Sequence, residues 1–106
     1  VEVEAMLVEF SVAPMGKGDS ISADVAKLID IIDKSGLPYR THAMGTLVEG
    51  SWEDCMKLIR KCHDTARKSS SRVYTRIAID DRKGKSKMME RKLESVERKL
   101  GRPFQK

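Results

Sequence analysis

The sequence predicts an α+β sandwich, with strands and helices in the order β-α-β-β-α-β and one more helix at the end. Three observations carry this expectation. Residues 3–13 and 72–80 alternate apolar and polar side chains with the period of two of a half-buried strand. Residues 22–35 and 52–69 repeat apolar side chains at helical spacing. Between these helices, residues 39–50 are extended in character and interrupted by Gly45 and Gly50.

Each element follows from its residues. In the first strand Met6, Val8, Phe10 and Val12 share one face, and Leu7, Glu9 and Ser11 share the other. The run Pro14-Met15-Gly16-Lys17-Gly18-Asp19 is expected to break it. Ser20 or Ser22 can cap the first helix, whose stripe is Val25, Leu28, Ile29 and Ile32. Gly36 is its expected stop, and Pro38 prevents continuation. Two short strands should follow, with a turn or bulge near Gly45. Ser51-Trp52-Glu53-Asp54 reads as a capped start for the second helix, whose stripe is Trp52, Cys55, Met56, Ile59, Cys62, His63 and Ala66. In the last strand Val73, Thr75, Ile77 and Ile79 are expected to face the core, with Tyr74, Arg76 and Ala78 turned away. A basic loop at 82–87 leads to a third helix with a narrow stripe of Met89, Leu93, Val96 and Leu100.

This order is the split βαβ pattern of a ferredoxin-like βαββαβ sandwich with an extra C-terminal helix. Two helices cover one sheet face and leave the other open. The open face would carry Leu7, Glu9, Ser11, Tyr74 and Arg76, too apolar for water and too polar for a core. An oligomer that buries this face is therefore expected, with the stripe on the last helix as a second contact.

The chain has 106 residues, the size of one small domain, read here as a single domain over 1–106. No apolar run approaches the roughly 18–20 residues that span a bilayer, so no membrane association is expected. The segment Val1-Glu2-Val3-Glu4 is acidic and alternating, unlike a signal peptide. The net charge of +5 is uneven: residues 1–55 carry −6 and residues 56–106 carry +11. A basic half raises nucleic-acid binding. Aromatics are only 5% of the chain, however, too few for stacking platforms, so attraction between the two halves is the plainer reading.

Few residues suggest catalysis. Seven helical residues span roughly 10.5 Å, beyond the reach of a disulfide, so Cys55 and Cys62 read as unpaired core residues. Unpaired cysteines favour a reducing, cytoplasmic compartment. Cys62, His63 and His42 match no zinc spacing. No serine stands in Gly-x-Ser-x-Gly, and the loop at 16–20 matches neither phosphate-binding glycine pattern. Acylphosphatases have this topology, but their pattern needs an Asn and the chain has none. RNA-recognition motifs also have it, but they place aromatics where Gly45-Thr46-Leu47-Val48-Glu49-Gly50 has none. The most informative stretch is 41–50. It gathers hydroxyls, a thioether, two glycines and one carboxylate, which suits either a ligand site or a bulged hairpin.

Three segments resemble a known family: Glu9-Phe10-Ser11-Val12-Ala13-Pro14-Met15-Gly16-Lys17-Gly18, Thr41-His42-Ala43-Met44-Gly45-Thr46-Leu47-Val48-Glu49-Gly50 and Ile79-Asp80-Asp81-Arg82. Together they are similar to the thiamine-binding-protein-like family. The resemblance implies a ferredoxin-like fold, homodimers built sheet against sheet and paired into homotetramers, and a ligand that is thiamine or its hydroxymethylpyrimidine part. On matching positions it implies a pocket of Ser11, Thr41, Met44, Gly45, Thr46 and Glu49, with Arg82 added from the third segment. The hydroxyls and the carboxylate would address the aminopyrimidine, and Met44 would lie on its ring. No cofactor, metal or catalytic residue is implied, and the expected protein is not an enzyme. Two other functions stay open: a structural or regulatory protein-interaction module, and a nonspecific nucleic-acid binder acting through 82–102.

Overall fold

The computed structural model describes residues 5–16, 18 and 22–106. Its elements are β1 (Met6–Met15), α1 (Ser22–Lys34), β2 (Tyr39–His42), β3 (Gly45–Gly50), α2 (Trp52–Ser69), β4 (Arg72–Asp80) and α3 (Met88–Leu100). The strands form one antiparallel sheet in the order β2-β3-β1-β4, the ferredoxin-like arrangement expected from the sequence. No helix of the described residues is long and apolar enough to cross a membrane.

Alternation along β1 decides what lies on each side. Met6, Val8 and Phe10 are buried with Leu28 and Ile32 of α1 and with Cys55, Leu58, Ile59 and Cys62 of α2. Val8 is paired with Val48, and Phe10 with Thr46, so these residues belong to the same helix-covered face. Leu7 opposite Glu49 and Glu9 opposite Leu47 lie on the other face. Ser51 caps α2 as expected, its Oγ accepting from the Asp54 N–H at 3.1 Å. Gly36, at φ 77°, takes the left-handed conformation just beyond the end of α1.

Four details depart from the sequence reading. Pro14 does not end β1: it pairs with Val73, and the strand runs to Met15. β3 pairs only with Met6–Phe10, so by Pro14 the strand has one neighbour, and a residue without an N–H is tolerated there. Trp52 is 55% exposed, not part of the core stripe of α2. Ile77 and Ile79 lie on the helix-covered face but remain 45% and 40% exposed, because β4 is an edge strand that the helices only partly reach. Finally, the open face is not wholly open, since α3 packs on β1 and β3 there. Of its narrow stripe only Met89 is buried, while Val96 and Leu100 are exposed. Val3 and Glu4 of the first strand, the Ser20 cap and most of the loop at 16–20 lie outside the described residues.

Candidate ligand-binding site

The site is built on the hairpin of β2 and β3. Its turn, Ala43-Met44, is held by the Met44 N–H donating to His42 Nδ1 at 3.2 Å. Gly45 follows, and only glycine fits: a Cβ there would stand 2.8 Å from the carbonyl oxygen of Phe10. That close approach brings the hairpin tip against β1. Thr41 faces Thr46 across the hairpin, and Thr46 faces Phe10, which places the three in one row on the helix-covered face.

Above this row lies a cleft of about 230 Å³. Phe10 and Val12 form its floor, Leu28, Ile29 and Ile32 of α1 form one wall, and Thr41, Thr46 and Met44 stand on the hairpin side. Met44 is 79% exposed, a polarizable side chain free to settle on an incoming ring. On the opposite face a smaller cleft of about 100 Å³ is bordered by Glu9, Ser11, Met44, Arg76 and Ala78. Here His42 Nε2 lies 3.4 Å from Glu9 Oε2. Ser11 and Met44 border both clefts, so the two meet at the hairpin tip.

Ser11, Thr41, Met44, Gly45 and Thr46 all border the larger cleft. Glu49 and Arg82 are not with them. Glu49 lies three residues further along β3 and on the other face, 5% exposed. Its Oε2 accepts from the Met88 N–H at 2.5 Å and its Oε1 from the Met89 N–H at 3.2 Å. It therefore caps α3 from a distant strand. Lys87, at the N-cap position of that helix, is left-handed at φ 55° and makes no side-chain cap. Arg82 lies in the turn before α3, its carbonyl accepting from the Lys85 N–H at 3.0 Å.

The α1 wall escaped the sequence reading, although its residues were in view. Leu28, Ile29 and Ile32 form a stripe that reads as core, and periodicity does not show that one end of the stripe faces a cleft.

The other candidates for chemistry are structural. Cys55 and Cys62 are buried and unpaired, and burial pushes both thiols up to about 11. The His63 ring nitrogen Nδ1 is 2.7 Å from Thr75 Oγ1, so it ties α2 to β4. The larger cleft offers an apolar slot with two hydroxyls, suited to a flat ring with hydrogen-bonding edges. It sets no nucleophile against a base among the described residues.

The strand order and the cleft define the class: a ferredoxin-like α+β domain with an apolar cleft between α1 and the β2–β3 hairpin. The family model described as thiamine-binding protein matches residues 8–97, and the chain belongs to that family. It is 37% identical over 91 residues to the UPF0045 protein MJ1052 of Methanocaldococcus jannaschii, covering 86% of this chain and 91% of that one. It is 36% identical over 100 residues to the UPF0045 protein Mb1933 of Mycobacterium bovis, covering 93% of this chain and 98% of that one. The crystal structure of MJ1052 superposes with a TM-score of 0.82 at 36% identity, over 89% of this chain and 97% of that one. A Thermotoga maritima protein provisionally assigned to thiamine biosynthesis or salvage shares the fold, with a TM-score of 0.74 at 21% identity over 87% of this chain and 98% of that one. None of these names is that of an enzyme.

Proposed function

We propose that this chain binds thiamine or a related hydroxymethylpyrimidine compound, without catalysis, in the cleft between α1 and the β2–β3 hairpin. The observation that carries the reading is the cleft itself: an apolar floor and wall, two threonine hydroxyls and an exposed methionine. Its volume of about 230 Å³ is below the roughly 300–1,000 Å³ common for drug-sized ligands, which favours the single pyrimidine ring over the whole two-ring molecule. Thr41 and Thr46 can each donate and accept to an aminopyrimidine edge. A homodimer through the uncovered end of the open face goes with this reading, because Ser11 and Met44 would then stand at a subunit boundary; pairing of such dimers gives a tetramer. A cytoplasmic location goes with two buried free thiols.

Isothermal titration with hydroxymethylpyrimidine, thiamine and thiamine diphosphate tests the proposal. Saturable heat is expected, strongest per atom for the pyrimidine, and weakened by Thr46→Val and by Met44→Ala. Thr46→Val keeps the shape of the side chain and removes its hydroxyl, so an unchanged affinity would remove Thr46 from the site. No heat with any of the three compounds overturns the reading and returns the hairpin to a purely structural role.

A further inference from the structure

A second groove lies between the end of α1 and the first half of α2. It shares no lining residue with the cleft beside the β2–β3 hairpin, and its volume is about 320 Å³. Leu58 is buried beneath it, and Ile31 and Leu37 are half-buried along it, so its floor is apolar. Lys34, Lys57 and Lys61 stand exposed around that floor, with Asp54 as its one carboxylate. The two lysines of α2 are the feature that the fold does not explain. They are four residues apart on one helix, which brings their Cβ atoms to about 5–6 Å, and like charges at this spacing weaken a helix. The acids around them are engaged elsewhere. Asp30 pairs with Lys34 at 2.8 Å, Asp33 accepts from the Tyr39 hydroxyl at 2.9 Å, and Asp64 is 3.6 Å from Arg60. Neither Lys57 nor Lys61 forms an ion pair with a described residue, Asp54 included. Two ammonium groups thus flank an apolar floor without a counter-charge.

We propose that this groove binds a small monocarboxylic acid with an apolar tail, its carboxylate held between Lys57 and Lys61 and its tail laid on Ile31, Leu37 and Leu58. The occupant follows from charge and shape together. At this spacing two flexible lysines can each donate to one oxygen of a single carboxylate, and such charge-assisted bonds are the strong ones. An inorganic anion would satisfy the lysines but leave the half-buried Ile31 and Leu37 uncovered. A neutral hydrocarbon would cover the floor but leave the two ammonium groups facing each other. Asp54 disfavours a second negative charge at the far end, so the acid carries its charge at one end only. From Asp54 to Lys61 the groove runs roughly 10.5 Å along α2, shorter than the three turns of an ordinary helix, which favours a small molecule over a docked peptide helix. Its volume lies at the small end of the range common for ligand pockets, about 300–1,000 Å³. The inference is independent of the reading of the hairpin cleft.

The test is a titration of the whole chain with sodium octanoate, kept below the concentration at which it forms micelles and followed by NMR amide shifts. Saturable binding is expected, with the shifts centred on Lys57, Leu58 and Lys61. Acetate has the head without the tail, and octylammonium has the tail with the opposite charge; neither should saturate over the same range. Lys57→Glu should weaken octanoate binding by about tenfold or more, because it removes one charge-assisted bond and adds a repulsion. Lys57→Arg should retain most of the affinity, and Thr46→Val, in the other cleft, should retain all of it. Lys57 is exposed, and circular dichroism confirms that its variants fold. Octylammonium binding as tightly as octanoate would reduce the groove to an apolar patch and overturn the proposal. So would an affinity indifferent to Lys57→Glu, shifts confined to the hairpin cleft, or no saturation with octanoate.

Discussion

Replacing Glu49 by alanine should release α3 while leaving the rest of the fold intact. The first amides of a helix have no partner within it, and here two of them, Met88 and Met89, are served by the Glu49 carboxylate at 2.5 and 3.2 Å. Removing an N-cap side chain costs about 0.5–2 kcal/mol, and hydrogen bonds to a charged group contribute about 1.5–3 kcal/mol each. Water can reach the half-buried Met88 amide once the side chain is gone, so about 2 kcal/mol is a fair net loss. That is comparable with the contribution of Met89, to which the half-buried Met88 and Leu93 add a smaller share. Met89 is the one buried side chain of α3, and burial of a methionine contributes up to about 1.5–3 kcal/mol. Lys92 and Asp80 add an ion pair between α3 and β4, but it is exposed to solvent and screened. Hydrogen exchange read by mass spectrometry should therefore show α3 amides exchanging about 30-fold faster in Glu49→Ala, with α2 unchanged. Glu49→Gln retains one acceptor oxygen and should show a smaller effect. Unchanged exchange in α3 would refute the capping role. If hydroxymethylpyrimidine binding were lost at the same time, the carboxylate would belong to the ligand after all.

Three further outcomes can be measured. Gly45→Ala places a Cβ against the backbone oxygen of Phe10, which cannot rotate away, so the hairpin must shift. Overpacking of this kind costs about 1–3 kcal/mol, and the melting temperature should fall by about 5 °C or more, together with any affinity for a pyrimidine. Cys55 and Cys62, with thiols pushed up to about 11, should resist iodoacetamide at pH 8 in the native protein and react on unfolding; rapid native labelling would contradict their burial. The hydrogen bond from Lys92, and then its charge, hold the Asp80 carboxyl below its ordinary value of 3.8. The tie between β4 and α3 is thus complete above that ordinary value and is lost as the pH falls through the lowered one. Lys92→Ala should return Asp80 to the ordinary range in an NMR titration, and no movement of Asp80 would show that the pair is absent in solution.

Much of the fold was legible because its signals are local. The alternation in residues 6–12 and 72–80 assigns each side chain to a face, and Ser51 and Gly36 mark helix ends by chemistry that acts within one turn. What periodicity does not encode is how far a neighbouring element extends. Trp52 continues the stripe of α2, and Ile77 and Ile79 continue the stripe of β4, yet all three are exposed. Pro14 is the converse case. Its effect on a strand depends on whether a neighbour needs its N–H, and the sheet order settles that, not the residue itself.

The candidate site divides along the same line. Thr41, Met44, Gly45 and Thr46 are close in sequence and joined by a two-residue turn, so their convergence needs only a hairpin. Glu49 stands in the same ten-residue stretch, but each step along a strand reverses the side chain, and three steps from Thr46 put it on the opposite face. Its partner is a helix that starts 39 residues later with Lys87 at the N-cap, a position where serine, threonine, aspartate or asparagine normally stands. That absence was the available sign that α3 must borrow a cap from elsewhere. A buried glutamate in a motif can thus be retained for holding a helix over the sheet as readily as for touching a ligand. In this chain the hydrogen bonds assign it to the helix, and the proposed recognition of a pyrimidine ring is left to Thr41, Thr46 and Met44.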